Sequence, residues 1–134
     1  PTPEPTPAPA PTPAPTPAPS PTVYTVTVQS VSLGYGSSAN RYFINGSQQP
    51  TLSLTEGQTY RFDQSDNSNG IHPLRISTTP NGTHGGGTAY TNGVTVVGSQ
   101  GNSGAYTEIV VPSGAPTLYY YCVNHSNMGG TLNT

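Results

Sequence analysis

The sequence predicts an all-β fold, a Greek-key β-sandwich, because short apolar segments alternate with frequent turn signals. Apolar side chains recur at every second position in several short segments, which is the period of a half-buried strand. Four Asn-Gly pairs, at positions 45, 69, 81 and 92, separate these segments, and none of the segments has an apolar stripe at helical spacing. Turns at such short intervals favour antiparallel sheets.

The strands are predicted in chain order from these signals. In the first strand, Tyr24, Val26 and Val28 alternate with threonine and glutamine. The pair Asn45-Gly46 predicts a tight hairpin after the second strand, and Glu56-Gly57 predicts another turn. Residues 79–105 form a connection that is long for a sandwich and could carry a further strand around residues 93–97, but the apolar pattern does not fix its position. The predicted strands are residues 24–29, 41–44, 52–54, 59–62, 74–77, 106–111 and 118–122.

The first 21 residues differ from all the rest, since proline occupies every odd position from 1 to 21. Proline lacks an N–H and forces the preceding residue into extended geometry, so helix and sheet are excluded there. Residues 1–22 therefore predict a polyproline-II linker or stalk, ~65 Å long at full reach. Residues 23–134 remain as one domain. Because the chain begins with proline and shows no signal peptide, we expect a mature or excised part of a longer chain, joined to its upstream sequence through this rod.

Charge is scarce throughout the chain, and this excludes some partners. The 134 residues include three arginines, no lysine and five carboxylates, with a net charge of −2. So few cations give no electrostatic footprint for nucleic acid or an anionic membrane. No apolar run approaches the ~20 residues needed to span a bilayer. A Pro/Thr-rich stalk indicates an extracytoplasmic protein (periplasmic, cell-surface or secreted), with a virion surface as the alternative.

The only cysteine and the only methionine lie six residues apart, with a histidine midway. Cys122, His125 and Met128 have the spacing Cys-x2-His-x2-Met, directly after a predicted strand. Thiolate, imidazole and thioether are together suited to copper that cycles between Cu(I) and Cu(II). A trigonal site of this kind needs a second histidine, and His72 qualifies, because it lies between the turn signal Asn69-Gly70 and the next strand.

This pattern resembles the cupredoxins, the family of plastocyanin, azurin, amicyanin and pseudoazurin, over nearly all of residues 23–134. The resemblance rests on residues 43–46, 56–62, His72 and the loop 122–128, whose spacing is most similar to amicyanin and pseudoazurin. It implies a type 1 copper bound by His72, Cys122, His125 and Met128, and one-electron transfer through the exposed edge of His125. Residues 77–87 and the ending Tyr-Tyr-Tyr-Cys also resemble cupredoxin-like modules of marine bacterial and phage surface proteins.

Other interpretations of the same residues stay open. The site could hold zinc or another metal, or the domain could be a relic without metal. Instead of carrying electrons to an unidentified redox partner, the domain could be a structural or display module of a surface fibre or virion, in which bound copper only stabilises the sandwich. Copper capture or delivery is a third interpretation. The sequence does not predict an enzyme, because it shows no second ligand set, no Ser/His/Asp set and no paired carboxylates.

Three further residues carry narrower expectations. In many cupredoxins the residue after the upstream histidine donates a backbone N–H to the cysteine sulfur, but here that residue is Pro73, which has none. We expect Asn124 to donate to the sulfur from the opposite side instead. His84 lies in a glycine-rich loop without ligands at metal-binding spacing. It is therefore expected to be an exposed loop histidine, with a second metal or a partner contact as the alternative.

Overall fold

The computed structural model describes residues 2–12 and 20–134, and in it the predicted all-β sandwich is confirmed. One sheet has six strands in the order β3-β2-β1-β5-β8-β7, and the other has four in the order β4-β10-β9-β6. The strands are β1 Thr22–Gly34, β2 Ser37–Ile44, β3 Ser47–Gln48, β4 Leu52–Ser53, β5 Thr59–Asp63, β6 Leu74–Ser77, β7 Val94–Val97, β8 Tyr106–Val110, β9 Leu118–Cys122 and β10 Gly130–Asn133. Two 3₁₀ turns, Asn67–Asn69 and Gly82–Gly85, are the helical elements of the described residues.

The rod prediction falls partly outside the described residues, which omit residues 1 and 13–19. Residues 2–12 have no regular hydrogen-bonded structure and are exposed. The first strand, β1, begins at Thr22. The polyproline-II conformation of the whole rod stays a prediction.

The period-two pattern identified the buried faces correctly. In β5, Tyr60 and Phe62 are buried while the residues between them are half-buried, and in β8 Thr107 and Ile109 are buried in the same way. Because side chains of a strand alternate between its two faces, each sheet presents one apolar face to the other. The core between them contains Val26, Tyr42, Ile44, Phe62, Leu74, Ile76, Ile109, Leu118, Tyr120, Cys122, Met128 and Leu132.

Most strand pairs are antiparallel as predicted, but two pairings are parallel. The first residues of β1 pair in parallel with β5, with Thr22 opposite Tyr60, and β10 pairs in parallel with β4. The rest of β1 pairs antiparallel with β2. Both sheets are thus mixed, because the chain crosses repeatedly from one sheet to the other between consecutive strands. Apolar alternation specifies which face is buried but not the direction of the neighbouring strand.

Turn chemistry was predicted better than strand length. Asn45 and Gly46 both have positive φ, 49° and 84°, and connect β2 to β3 as a tight hairpin. The strand near residues 93–97 exists as the edge strand β7. However, β1 runs to Gly34, and it joins β2 through an exposed turn at Tyr35-Gly36 that the sequence analysis did not predict. Strand β10 was also missed, because only Leu132 of its four residues is apolar and buried.

Candidate metal centre

His72 reaches the site because the strand that follows it is hydrogen-bonded to the strand of Cys122. Strand β6 starts two residues after His72 and pairs antiparallel with β9, so that Leu74 lies opposite Cys122. The backbone N–H of Val123 also donates to the carbonyl of Pro73 at 3.0 Å. This pairing brings the segment that follows the Asn69-Gly70 turn beside the cysteine.

The ligand loop, residues 122–128, turns the other three side chains toward His72. Cys122 ends β9 and is fully buried, Met128 is buried, and His125 between them is exposed. The N–H of Tyr42 donates to the carbonyl of Met128 at 3.0 Å, which anchors the end of the loop to β2. Gly129 lies so close to the carbonyl of Tyr120 that a side chain there would collide with it. The loop is therefore held at both ends.

The ligand atoms lie within range of a single ion. The Cys122 Sγ is 3.7 Å from Nδ1 of His72 and 3.7 Å from Nδ1 of His125, and these three atoms lie within 4.8 Å of one another. Bonds of about 2.3 Å to sulfur and about 2.05 Å to nitrogen would separate S and N by about 3.8 Å at a trigonal angle and about 3.6 Å at a tetrahedral one. The observed separations fall in this range, so the three donors fit one metal ion.

Met128 adds a thioether to this group. Its side chain contacts His72 and is almost completely buried in the core. A thioether beside a thiolate and two imidazoles makes the donor set softer than the sets that hold magnesium or calcium. All four residues predicted from the sequence are therefore in one place.

The two histidines differ in exposure. His72 is 3% exposed, whereas His125 lies at the surface. Burial lowers the pKa of His72, and the neighbouring imidazole of His125, with its ring centre 4.6 Å away, lowers it further. A neutral His72 keeps a lone pair on Nδ1 for a metal. The exposed ring of His125 is the part of the site that a partner can touch.

A buried polar network that the sequence analysis did not identify holds the backbone of His72. The carbonyl of His72 accepts hydrogen bonds from the Tyr42 hydroxyl at 2.6 Å and from Nε2 of Gln64 at 2.8 Å. The side-chain oxygen of Gln64 accepts from the N–H of Leu74, and its Nε2 also donates to the side-chain oxygen of Asn69. The backbone carbonyl of Asn69 in turn accepts from the N–H of His72. No buried side-chain nitrogen or oxygen within the described residues is left without a partner. Of the residues that hold His72 in this network, the sequence analysis singled out only Asn69, as part of the turn signal Asn69-Gly70.

Residues 79–87 form a second loop, here named the loop brace, which hydrogen-bonds to the ligand loop. Nε2 of His84 lies 2.9 Å from the carbonyl of Cys122, so its N–H donates to that oxygen. The side-chain oxygen of Asn81 accepts from the N–H of Asn127 at 2.8 Å. Gly82, with φ 53°, lies flat on the Tyr121 ring, where a β-carbon would be 2.5 Å from the ring atoms. His84 is exposed as expected, yet it supports the metal loop rather than standing alone.

The expected hydrogen bond to the sulfur is not formed. The backbone N–H of Asn124 does not donate to the Cys122 sulfur. Within residues 20–134, the nitrogens close to that sulfur are Nδ1 of His72 and Nδ1 of His125. The Asn124 side chain instead donates to the carbonyl of Ile71 at 3.0 Å, which joins the ligand loop to the turn before His72. The prediction that Asn124 replaces the missing donor to the sulfur is therefore wrong, because Asn124 acts through its side chain and on a different acceptor.

The described residues contain no second cluster of three or more histidine, cysteine or carboxylate groups at metal-binding distance. None of their helices is long and apolar enough to cross a membrane. Comparison with known proteins found no matching family model and no matching curated protein.

Proposed function

We propose that this protein is a small type 1 copper protein that binds one copper ion through His72, Cys122, His125 and Met128. The observation that carries the proposal is the equal 3.7 Å separation of the Cys122 sulfur from Nδ1 of both histidines, with a buried thioether beside them. Thiolate, two imidazoles and a weak thioether are typical of blue-copper electron-transfer sites.

The chemistry of the donors favours copper over zinc. Structural zinc sites take four strong ligands in a tetrahedron, most often thiolates and imidazoles. A thioether is a poor zinc ligand but a good one for Cu(I). Copper bound there would supply one-electron chemistry between Cu(I) and Cu(II). His125 would pass the electron, because its ring is the exposed ligand.

We further propose that the protein is not an enzyme. Four protein donors leave no open position for a substrate. The residues beside Cys122 are Tyr121 and Val123 rather than histidines, so no direct route leads from the thiolate to a second metal. The proline-rich rod supports an extracytoplasmic, tethered carrier, and a buried free thiol that is protected by a metal suits an oxidising location.

Copper addition to the metal-free protein tests the proposal. Wild-type protein should develop an intense visible thiolate-to-Cu(II) absorption at one equivalent and give a reversible one-electron wave in voltammetry. Cys122→Ser should lose the absorption, because the thiolate supplies the electron that is excited. Ser126→Ala, in the same loop but with no donor atom in the site, is the matched control. Colourless wild-type protein with one equivalent of Cu(II) present would contradict the proposal.

A structural or display role is the second candidate, and the surface around the site favours it. The exposed loop residues next to His125 are mostly polar, namely Asn124, Ser126 and Asn127, whereas the buried core of a protein docking patch is more apolar than the rest of the surface. Low charge also gives little steering of a redox partner. In this role copper would only stabilise the sandwich. Bound copper without a reversible voltammetric wave would select this candidate over electron transfer.

A further inference from the structure

A polar groove of about 490 Å³ runs beside the exposed face of His125. One wall is formed by Asn40 and Arg41 of β2, and the other by Asn124, His125 and Ser126 of the ligand loop. His84 of the loop brace also lines the groove. The groove is thus built from three separate parts of the chain that meet at the metal ligand.

Arg41 is the permanent positive charge in this groove. No carboxylate lines it, and within residues 2–12 and 20–134 Arg41 has no ion-pair partner. Arg61, by contrast, is paired with Glu108 at 2.7 Å. Arg75 has no ion pair in the described residues either, but it does not line the groove, so Arg41 is the arginine that shares the groove with His125.

The hydrogen-bonding groups of the groove favour an anion. Arg41 uses one N–H on the carbonyl of Asn40, which leaves the other guanidinium donors free. The His84 ring N–H and the Asn124 amide are occupied by the carbonyls of Cys122 and Ile71. A planar guanidinium with free donors binds a carboxylate through two parallel hydrogen bonds.

We propose that this groove binds a small anion carrying a carboxylate or an equivalent planar oxyanion, next to the edge of His125. The inference deepens the proposed function, because it names the redox partner as a small anionic molecule. The groove volume lies within the range of small-molecule sites, roughly 300–1,000 Å³. A large acidic protein is a poorer fit, because the net negative charge repels it and no basic patch surrounds Arg41.

The electron balance requires a donor such as an enediolate. One electron would leave the bound monoanion through the His125 ring and reduce Cu(II) to Cu(I). The oxidised molecule would release its remaining hydroxyl proton to water and dissociate as a radical anion.

Binding is tested first with probes that are not redox-active. Benzoate and the uncharged benzamide have nearly the same size, and their binding to the Cu(I) form and to the metal-free form can be followed by NMR shifts of Arg41, Asn124 and Ser126. Benzoate should bind, and benzamide should bind at least 5-fold more weakly. Arg41→Gln should abolish this preference, whereas Arg75→Gln, an arginine outside the groove, should leave it intact. Equal binding of the two probes, or no effect of Arg41→Gln, would overturn the proposal.

Reduction kinetics test the link to electron transfer. Ascorbate should reduce the Cu(II) form of Arg41→Gln at least 5-fold more slowly than the Cu(II) form of the wild-type protein. Uncharged hydroquinone should reduce the two proteins at the same rate. An equal ascorbate rate in the two proteins would refute the role of the groove in electron transfer. If an acidic peptide bound more tightly than benzoate through Arg41, the small-molecule assignment would be wrong. If the protein took up no copper but benzoate still bound through Arg41, the proposed function would fail while the anion site stood.

Discussion

At the scale of single residues, the buried side-chain amide of Gln64 fixes the backbone on both sides of Pro73, at His72 and at the start of β6. It donates to the carbonyl of His72 and accepts from the N–H of Leu74, the first residue of β6. Gln64 is only 2% exposed, so water cannot replace these bonds. Position 72 is therefore held by a side chain eight residues earlier in the chain, and not by the turn alone.

Replacing this amide should destabilise the domain. We expect Gln64→Leu to lower the free energy of unfolding by about 2–4 kcal/mol, because it leaves a buried N–H and weakens the support of a buried C=O. Gln58→Leu, the same change at an exposed position, should alter it by less than about 0.5 kcal/mol. Urea denaturation of both variants measures the difference. Equal stabilities would show that the network contributes nothing.

Pro73 controls the surroundings of the sulfur from the other side. It removes one backbone N–H next to the strand that ends in Cys122, and Asn124 does not replace it. We expect Pro73→Asn to raise the reduction potential of the bound copper by tens of millivolts, because a donor to the thiolate stabilises Cu(I); for one electron, ~59 mV is a tenfold change in the equilibrium. Voltammetry measures this, with Pro116→Asn at an exposed site as the control. A lowered or unchanged potential would refute the hypothesis.

At the scale of elements, the loop brace is the part of the fold that acts on the ligand loop. It contacts that loop at both ends, through His84 on Cys122 and Asn81 on Asn127, and its glycine at 82 permits close packing on Tyr121. The glycine-rich composition thus has a packing reason. Positive φ and the short distance to the ring together exclude a larger residue at position 82.

Removing the brace contact should weaken metal binding. We expect His84→Ala to lower copper affinity roughly 10-fold and to change the thiolate-to-copper absorption, as loss of an outer hydrogen bond to a ligand residue does. His84→Gln, which retains an N–H donor, should restore both values in part. Competition with a chelator and the visible spectrum are the measurements, and Thr78→Ala in the neighbouring exposed turn is the control. An unaltered affinity and spectrum in His84→Ala would show that the contact is only structural.

At the scale of the whole molecule, the candidate metal site joins the two sheets. Cys122 ends β9 and His72 lies two residues before β6, both strands of the four-stranded sheet, while Tyr42 of β2 in the six-stranded sheet hydrogen-bonds to both His72 and Met128. Metal binding to this arrangement should therefore stabilise the sandwich as one unit.

Copper should raise the thermal midpoint of unfolding. A ligand present at 1,000 times its dissociation constant adds about 4 kcal/mol, which for a domain of this size corresponds to roughly 15 °C. Calorimetry of the metal-free and copper-loaded protein measures the shift, and Met128→Leu, which retains the packing volume, should show a smaller one. Identical midpoints with and without bound copper would contradict a site made by the folded state.

The rod should be independent of this stability. Removal of residues 1–20 should leave the midpoint unchanged within error, because alternating proline with threonine and alanine supplies no apolar face for packing. A loss of several degrees would show that the rod packs on the domain.

The sequence by itself determined the alternating strands, the tight turn at Asn45-Gly46 and the four residues of the candidate metal site. These follow from local chemistry: side-chain period, turn residues, and the only thiol and thioether of the chain. Strand direction, the length of β1, the strand β10, the Gln64 network and the partner of Asn124 were decided only by the tertiary structure. They depend on which distant segments meet, and a pattern that specifies the buried face of a strand carries no information about its neighbour.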